Sequence, residues 1–342
     1  MPSYETIRPL LFRFDPERAH QLTLRILALA GVLPPIRAWL RRAYAFERSD
    51  LRVHAFGLDF PNPVGMAAGY DKDGRAVHGL ACLGFGHLEL GTVTPRPQAG
   101  NPRPRIFRLP EDRALINRMG FPNAGSEVLL RRLRREHPPG VVLGVNIGKG
   151  VDTPLDKASE DYLFLLRIFY TVADYIAVNV SSPNTIGLRR LQAREHLEDL
   201  LDVLSSARSE LEVSAGRRVP ILIKLAPDLN EGELEDAVGV VQGVGMDGII
   251  VANTTVDRSG LVSSRREEIG GLSGSPLRER ATEVVRRIHQ LTSGELPIVG
   301  VGGIFSPEDA REKLEAGATV IQVYTGLVYR GPGLIREILE GL

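Results

Sequence analysis

The sequence predicts a (β/α)8 TIM barrel with an N-terminal helical extension. Three observations lead there. Eight short apolar runs, rich in β-branched residues, occur at 64–67, 87–93, 141–147, 175–180, 221–225, 248–252, 298–301 and 320–323. Helical patterns lie between them, at 126–135, 159–169, 195–211, 231–241, 276–291 and 307–314. The 342 residues suit a barrel of ~250 residues plus an addition. Strand–helix alternation repeated eight times is the barrel pattern. A doubly wound open sheet is the competing architecture. It wants a single dinucleotide glycine fingerprint after its first strand, and Gly65-Met66-Ala67-Ala68-Gly69 is not one.

Residues 1–46 differ from the barrel region, 47–342. Asp15-Pro16-Glu17 is a helix start, with a capping Asp, Pro in the first turn and an early acid. Leu22, Ile26 and Leu29 share a face that Leu24, Leu27 and Ala28 widen. Gly31 is expected to end this helix, and Pro34-Pro35 to start another carrying Ile36, Trp39, Leu40 and Tyr44. Five arginines, Arg18, Arg25, Arg37, Arg41 and Arg42, lie between Arg18 and Phe46 without one acid. Two short basic, aromatic, amphipathic helices suit an interfacial membrane anchor. They suit equally a cap packed on the barrel with its arginines in water, and both readings can hold, one face each. Residues 52–60 alternate around Gly57 as a β-hairpin does.

Composition narrows the classes. Lys+Arg 42 balances Asp+Glu 42, so no global field selects nucleic acid. One cysteine, Cys82, permits neither an internal disulfide nor a Cys zinc cluster, so no metal site is expected. It sits on a helix face and reads as core packing in a reducing compartment. No run of ~20 apolar residues occurs, and no export signal pattern opens the chain.

In a barrel the chemistry lies at the C-terminal strand ends. Here those ends are polar or glycine-rich in register: Ala68-Gly69-Tyr70-Asp71-Lys72, Thr92-Val93-Thr94, Asn146-Ile147-Gly148, then Asn179-Val180-Ser181-Ser182-Pro183-Asn184-Thr185. Lys224, Asn253-Thr254-Thr255, Gly302-Gly303-Ile304 and Tyr324-Thr325-Gly326 complete the ring. The fourth end holds amides and hydroxyls but no acid, His or Cys, and Pro183 stiffens it. Amides carry donors and an acceptor, which suits a flat, neutral, polar ligand. Gly302-Gly303 ahead of Ser306-Pro307, with Tyr324-Thr325-Gly326 one strand on, form the usual barrel site for one phosphate. Lys224, inside an apolar strand, is expensive to bury unpaired. A phosphate or an electron-rich ring edge is the favoured partner, and an acid elsewhere in the barrel the alternative. The connections 94–121, 185–192 and 254–274 are long enough to be lids or ligand-binding segments, and a flexible lid over Ser182 would exclude water.

The set Ala67-Ala68-Gly69 with Asp71-Lys72, Asn101-Pro102-Arg103-Pro104-Arg105, Asn117-Arg118-Met119-Gly120-Phe121, Asn179 to Thr185, and Asn253-Thr254-Thr255 closely resembles dihydroorotate dehydrogenase, in its quinone-linked class 2 form. The likeness runs over nearly the whole chain. It implies FMN across the barrel mouth, its phosphate at Gly274, Gly303, Tyr324 and Thr325. The ring and ribityl chain would meet Ala68, Gly69, Tyr70, Asp71, Lys72, Thr92, Asn146, Asn179, Lys224 and Ala252. Ala252 is a departure, since some relatives have Thr there. Dihydroorotate would be held by Lys72, Asn117, Asn179, Asn184, Asn253 and Thr254, with Arg118, Met119, Gly120 and Phe121 beside it. Ser182 falls on the position of the catalytic base, where the quinone-linked class has Ser and the soluble class Cys. Serine hardly ionises at neutral pH, so it needs a relay, and Thr185 resembles the relay residue. The proton leaves C5 and C6 gives a hydride to the flavin; a membrane quinone then takes the electrons. His20 and Arg108 match quinone-contacting positions, with Tyr324 between tunnel and flavin. The resemblance thus implies a monomeric flavoenzyme of pyrimidine synthesis, peripheral on the cytoplasmic side of the cell membrane. Another FMN barrel, acting on a different pyrimidine with a soluble acceptor, is the alternative.

Overall fold

The computed structural model describes residues 4–135 and 137–342, so the first three residues of the predicted extension lie outside it. Three helices open the chain: α1 (Tyr4–Leu11), α2 (Pro16–Val32) and α3 (Pro34–Tyr44). α2 starts as expected, with Asp15 accepting the Arg18 N–H at 3.0 Å and Pro16 in the first turn. Gly31 does not end it. The residue lies within α2, where a Cβ would stand 2.7 Å from the Gly79 nitrogen. Close crossing of two backbones, rather than a stop, requires glycine there. The chain turns instead at Leu33, ahead of the proline pair that opens α3. α1 was not anticipated. It is pinned by Tyr4 Oη donating to the Val328 carbonyl at 2.7 Å and Arg8 to that of Tyr329 at 3.0 Å.

The hairpin β1 (Val53–Ala55) and β2 (Leu58–Phe60) follows. Ala55 and Phe60 are buried with the barrel-interior side chains Leu222, Ile250 and Val320, so this hairpin plugs the floor. The chain then runs through β3 (Val64–Met66), α4 (Val77–Ala81), β4 (His87–Val93), β5 (Ile106–Leu109), β6 (Ala114–Asn117) and α5 (Ser126–Leu133). Next come β7 (Val142–Ile147), α6 (Ala158–Phe169), β8 (Tyr175–Asn179), α7 (Arg194–Ala215), β9 (Ile221–Lys224), α8 (Glu231–Gly243) and β10 (Gly248–Val251). The last part holds β11 (Gly271–Gly274), α9 (Arg278–Leu291), β12 (Ile298–Val301), α10 (Pro307–Glu315), β13 (Val320–Val323), α11 (Thr325–Arg330) and α12 (Gly333–Gly341).

Eight parallel strands close the barrel in the order β10-β12-β13-β3-β4-β7-β8-β9. Each of the eight expected runs is one of them, to within one residue at either end. Alternation along the strands builds two cores. Leu88, Leu90, Ile221, Ile223 and Ile249 pack outward under the helices. Tyr175, Ala177, Leu222, Ile250 and Val299 fill the interior.

The two longest connections are not open lids. β5, β6 and β11 form an antiparallel sheet in which Gly271 pairs with Asn117 and Leu272 with Ile116. Phe107, Leu109, Ile116, Leu261 and Leu272 bury one another beneath it. Apolar alternation in both connections makes pairing cheaper than solvated loop. This sheet carries Asn117 to the barrel mouth.

Candidate active site

The C-terminal strand ends surround one cavity of about 1120 Å³, its open mouth included. That is the scale of small-ligand and cofactor sites, roughly 300–1,000 Å³. One side is amide-rich. Asn117, Ser182, Asn184, Asn253 and Thr254 line it, from three separate segments. The Asn184 side-chain amide donates to Asn117 Oδ1 at 3.2 Å. The Asn253 amide donates to Ser181 Oγ at 2.9 Å and to Asn179 Oδ1 at 3.3 Å. Ser182 Oγ lies at the cavity wall and accepts the Asn184 backbone N–H at 3.2 Å. Its loop is clamped from behind by a residue that sequence reading did not single out. Arg189 donates to the Ser181 carbonyl at 3.0 Å and the Thr254 carbonyl at 2.9 Å, and its third nitrogen meets Asp228 at 2.7 Å.

The opposite side is glycine-rich. Gly274, Gly302, Gly303 and the first turn of α11, Thr325 and Gly326, line it. Gly303 has φ +76, and a Cβ there would stand 2.3 Å from Arg278 Cα. Only glycine lets this turn pass and leaves its backbone facing the cavity. Ser273 Oγ lies 2.8 Å from Thr325 Oγ1, adding two hydroxyls at the same end.

Beneath the cavity sits a charge pair. Lys224 Nζ stands 3.0 Å from Glu89 Oε1, both buried. Glu89 also accepts from Asn146 at 2.8 Å, Gln322 at 2.8 Å and Tyr175 Oη at 3.2 Å. Burial raises the Glu89 carboxyl, but the Lys224 charge and the donated hydrogen bonds outweigh it and hold the group below its ordinary range. The alternative weighed for Lys224, an acid within the barrel, is therefore present, and Lys224 lines the cavity as well. Glu89 was legible in principle: an acid in the middle of an all-buried strand demands a partner.

The model for the family described as dihydroorotate dehydrogenase matches residues 50–342. The chain belongs to the dihydroorotate dehydrogenase family. It is 49% identical over 340 residues to a protein of Stutzerimonas stutzeri named dihydroorotate dehydrogenase (quinone), covering 99% of this chain and 97% of that one. A Methylococcus capsulatus protein of the same name is 50% identical over 337 residues, covering 98% and 97%. The ligand-free crystal structure of the Eimeria tenella DHODH superposes with a TM-score of 0.87 at 40% identity, covering 96% of this chain and 94% of that one.

Against this family background most expected site residues converge. Ala68, Gly69, Lys72, Thr92, Asn117, Met119, Gly120, Phe121, Asn179 and Ser182 all line the cavity. So do Asn184, Lys224, Ala252, Asn253, Thr254, Gly274, Gly303, Tyr324 and Thr325. The remaining expected residues lie behind the wall. Asn146 is shielded by Thr92, whose hydroxyl donates to its Oδ1 at 2.5 Å, and by Asn179. Asp71 points away and accepts the N–H groups of Arg75 and Ala76 at 2.9 and 2.7 Å. Arg118 turns outward to Glu268 at 2.8 Å, over the Phe107 ring. Thr185 is buried beside the serine loop, and no direct hydrogen bond joins its hydroxyl to Ser182 among the described residues.

Tyr70 leaves the cavity for another reason. Its ring packs edge-on against His20 of α2, centroids 4.9 Å apart, and against Tyr324 at 5.7 Å. The three rings run from the helical extension to the cavity. Burial, aided by the Lys72 charge, lowers His20 to about 4. Arg108 instead holds the α1–α2 turn, donating to the Phe12 and Phe14 carbonyls at 3.2 and 2.8 Å.

Proposed function

We propose that this protein oxidises dihydroorotate to orotate in de novo pyrimidine biosynthesis, using FMN as hydride acceptor and a membrane quinone as final acceptor. The observation that carries the reading is the convergence of Ser182 with Asn117, Asn184, Asn253, Thr254 and Lys72 on one cavity. Dihydroorotate is a cyclic imide with a saturated C5–C6 bond and a carboxylate on C6. The four amide and hydroxyl groups match the imide edge, and Lys72 supplies the cation for the anion. Ser182 stands among them as the group that takes the C5 proton. A neutral hydroxyl is a weak base, so the enclosed site and an onward path through Thr185 must carry the proton away.

FMN fits the remainder of the cavity. The glycine turn at Gly303, with Ser273 and Thr325, is a cradle for one phosphate, and the Lys224 ammonium, beside Thr92 and Asn179, offers a donor to a flat heteroaromatic edge. When bound, FMN supplies a two-electron acceptor for the hydride from C6. The Lys224–Glu89 pair holds its ammonium at the cavity floor without leaving either charge unpaired. Residues 1–46 form the quinone tunnel and the membrane contact, with His20 and Tyr324 along the route and Arg108 fixing its entrance turn. The protein acts as a monomer on the cytoplasmic face of the cell membrane. A soluble acceptor is the second reading, and the exposed apolar side chains of α2 and α3 speak against it.

Ser182→Ala tests the centre of this reading. The variant is expected to retain FMN and to lose flavin reduction by dihydroorotate at pH 7 by about 10²–10⁴-fold, read as bleaching under anaerobic mixing. Undiminished bleaching removes Ser182 as the base.

A further inference from the structure

We propose that the cleft between α3 and α4 binds the phosphate headgroup of an anionic phospholipid. The proposal rests on the reading of the helical extension as membrane-facing and adds a discrete polar site to it. Two hollows meet there. One, about 990 Å³ with its mouth, is lined by Arg37, Arg41, His78 and Cys82 among others. The second, about 910 Å³, is lined by Leu29, Val32, Arg37, Arg75 and His78. Arg37 and His78 belong to both, so they form the ridge where the hollows join.

The charges around that ridge are unequally satisfied. Arg41 has Glu47 at 3.6 Å, an exposed pair, and Arg75 has Asp73 at 2.9 Å. Arg37 is half-buried, yet its guanidinium has neither hydrogen bond nor ion pair among the described residues, and the His78 ring has none either. A planar guanidinium held in a cleft with its donors free is suited to bidentate phosphate binding.

The second hollow decides which phosphate. Leu29 and Val32, 64% and 74% exposed, form part of its wall. They continue into Leu22, Ile26, Leu33, Ile36 and Trp39, exposed along α2 and α3. An anion seated at Arg37 therefore sits directly beside an apolar surface. A free phosphate gains nothing from that surface, and a nucleotide would set polar sugar against it. A phosphodiester with acyl chains meets both halves, its headgroup at the ridge and its chains against Leu29 and Val32.

The chain carries its own reporter, since its single tryptophan, Trp39, lies exposed on α3. The experiment titrates the purified full chain with vesicles of phosphatidylcholine alone, or with phosphatidylglycerol added, and follows Trp39 emission. Phosphatidylglycerol is expected to tighten binding. Arg37→Gln should lose about fivefold of that affinity, the effect of one basic side chain at an anionic surface. Arg42→Gln, on the same helix but outside both hollows, should lose less, and both variants should keep flavin reduction by dihydroorotate. Equal losses in the two variants would mean a diffuse field and overturn the site. Inorganic phosphate that alone reproduces the Trp39 response would mark a soluble-anion site and overturn the lipid assignment. Equal binding to neutral and anionic vesicles overturns this proposal only; no binding to any vesicle overturns the membrane reading with it.

Discussion

Glu89 and Lys224 face each other inside the barrel because neither could be buried alone. An isolated charge in such an interior costs several kcal/mol, and removing one member of a buried pair typically costs about 3–5 kcal/mol. Lys224 was noticed in the sequence because it interrupts an apolar run; Glu89 does the same, yet their pairing spans 135 positions and no local pattern records it. Lys72 is a different case. Burial lowers its ammonium to about 8, against the pull of Asp73. Its charge is therefore lost progressively as pH rises through about 8. Affinity for the dihydroorotate anion is expected to fall as pH rises past about 8, measured by anaerobic flavin bleaching. Lys72→Met should abolish that dependence and weaken binding at pH 7 by about 1.5–3 kcal/mol, the worth of a charged hydrogen bond. Binding that is flat in pH across this range for the parent protein would dismiss Lys72 as the carboxylate partner. Linkage to folding has the opposite sense. The unfolded chain keeps this proton up to its ordinary 10.5, so burial of Lys72 becomes less costly between pH 8 and 10.5.

At the scale of elements, one carboxylate ties α2 to the long connection after β4. Glu17 accepts from Arg105 at 2.7 and 3.0 Å and from Arg103 at 2.8 and 3.1 Å. Burial pushes Glu17 up, but the Arg105 and Arg103 hydrogen bonds and charges outweigh it and hold it below its ordinary range. The tether's contribution is present above the unfolded pKa of about 4.5 and is lost as pH falls through the lower folded value. Both arginines come from the proline-rich connection after β4, so Glu17 joins the extension to the loop that leads to Asn117. Glu17→Ala is expected to cost about 3 kcal/mol, the lower end for a broken buried pair, because Arg105 keeps the Ala99 and Asn101 carbonyls. Denaturant titration checks the loss. Quinone turnover should fall while flavin reduction persists; an equal fall in both would mean that the tether serves the barrel rather than the extension. The start of α2 was readable beforehand, since Asp15 and Pro16 act within one turn. Gly31 was misread because a glycine that ends a helix and one that lets another helix approach look alike without the neighbour, Gly79.

For the whole molecule, the extension lays an apolar surface outside the barrel and a line of rings, His20, Tyr70 and Tyr324, inward to the cavity. Among the described residues, no single helix is long and apolar enough to cross a membrane. On the proposed membrane reading, Ile26 and Leu29, 58% and 64% exposed, are the side chains that would enter the bilayer surface. Replacing both by Glu is expected to remove about 2–3 kcal/mol of transfer energy, roughly a hundredfold in vesicle partitioning, with flavin reduction intact. Unchanged partitioning would move the membrane face elsewhere. Periodicity, caps and strand ends act over a few residues, and they were enough for the eight strands, the floor hairpin and most of the cavity wall. Barrel closure brings the loops that carry Ser182 and Asn253 to one mouth, and the β5–β6–β11 sheet folds over to bring Asn117 there. Contacts across long separations lay beyond that reach: Glu89 with Lys224, Arg189 behind the serine loop, Glu17 with two arginines, and the β6–β11 pairing that joins the two long connections into a sheet. Each depends on which distant segment arrives alongside, and packing, not local preference, decides it.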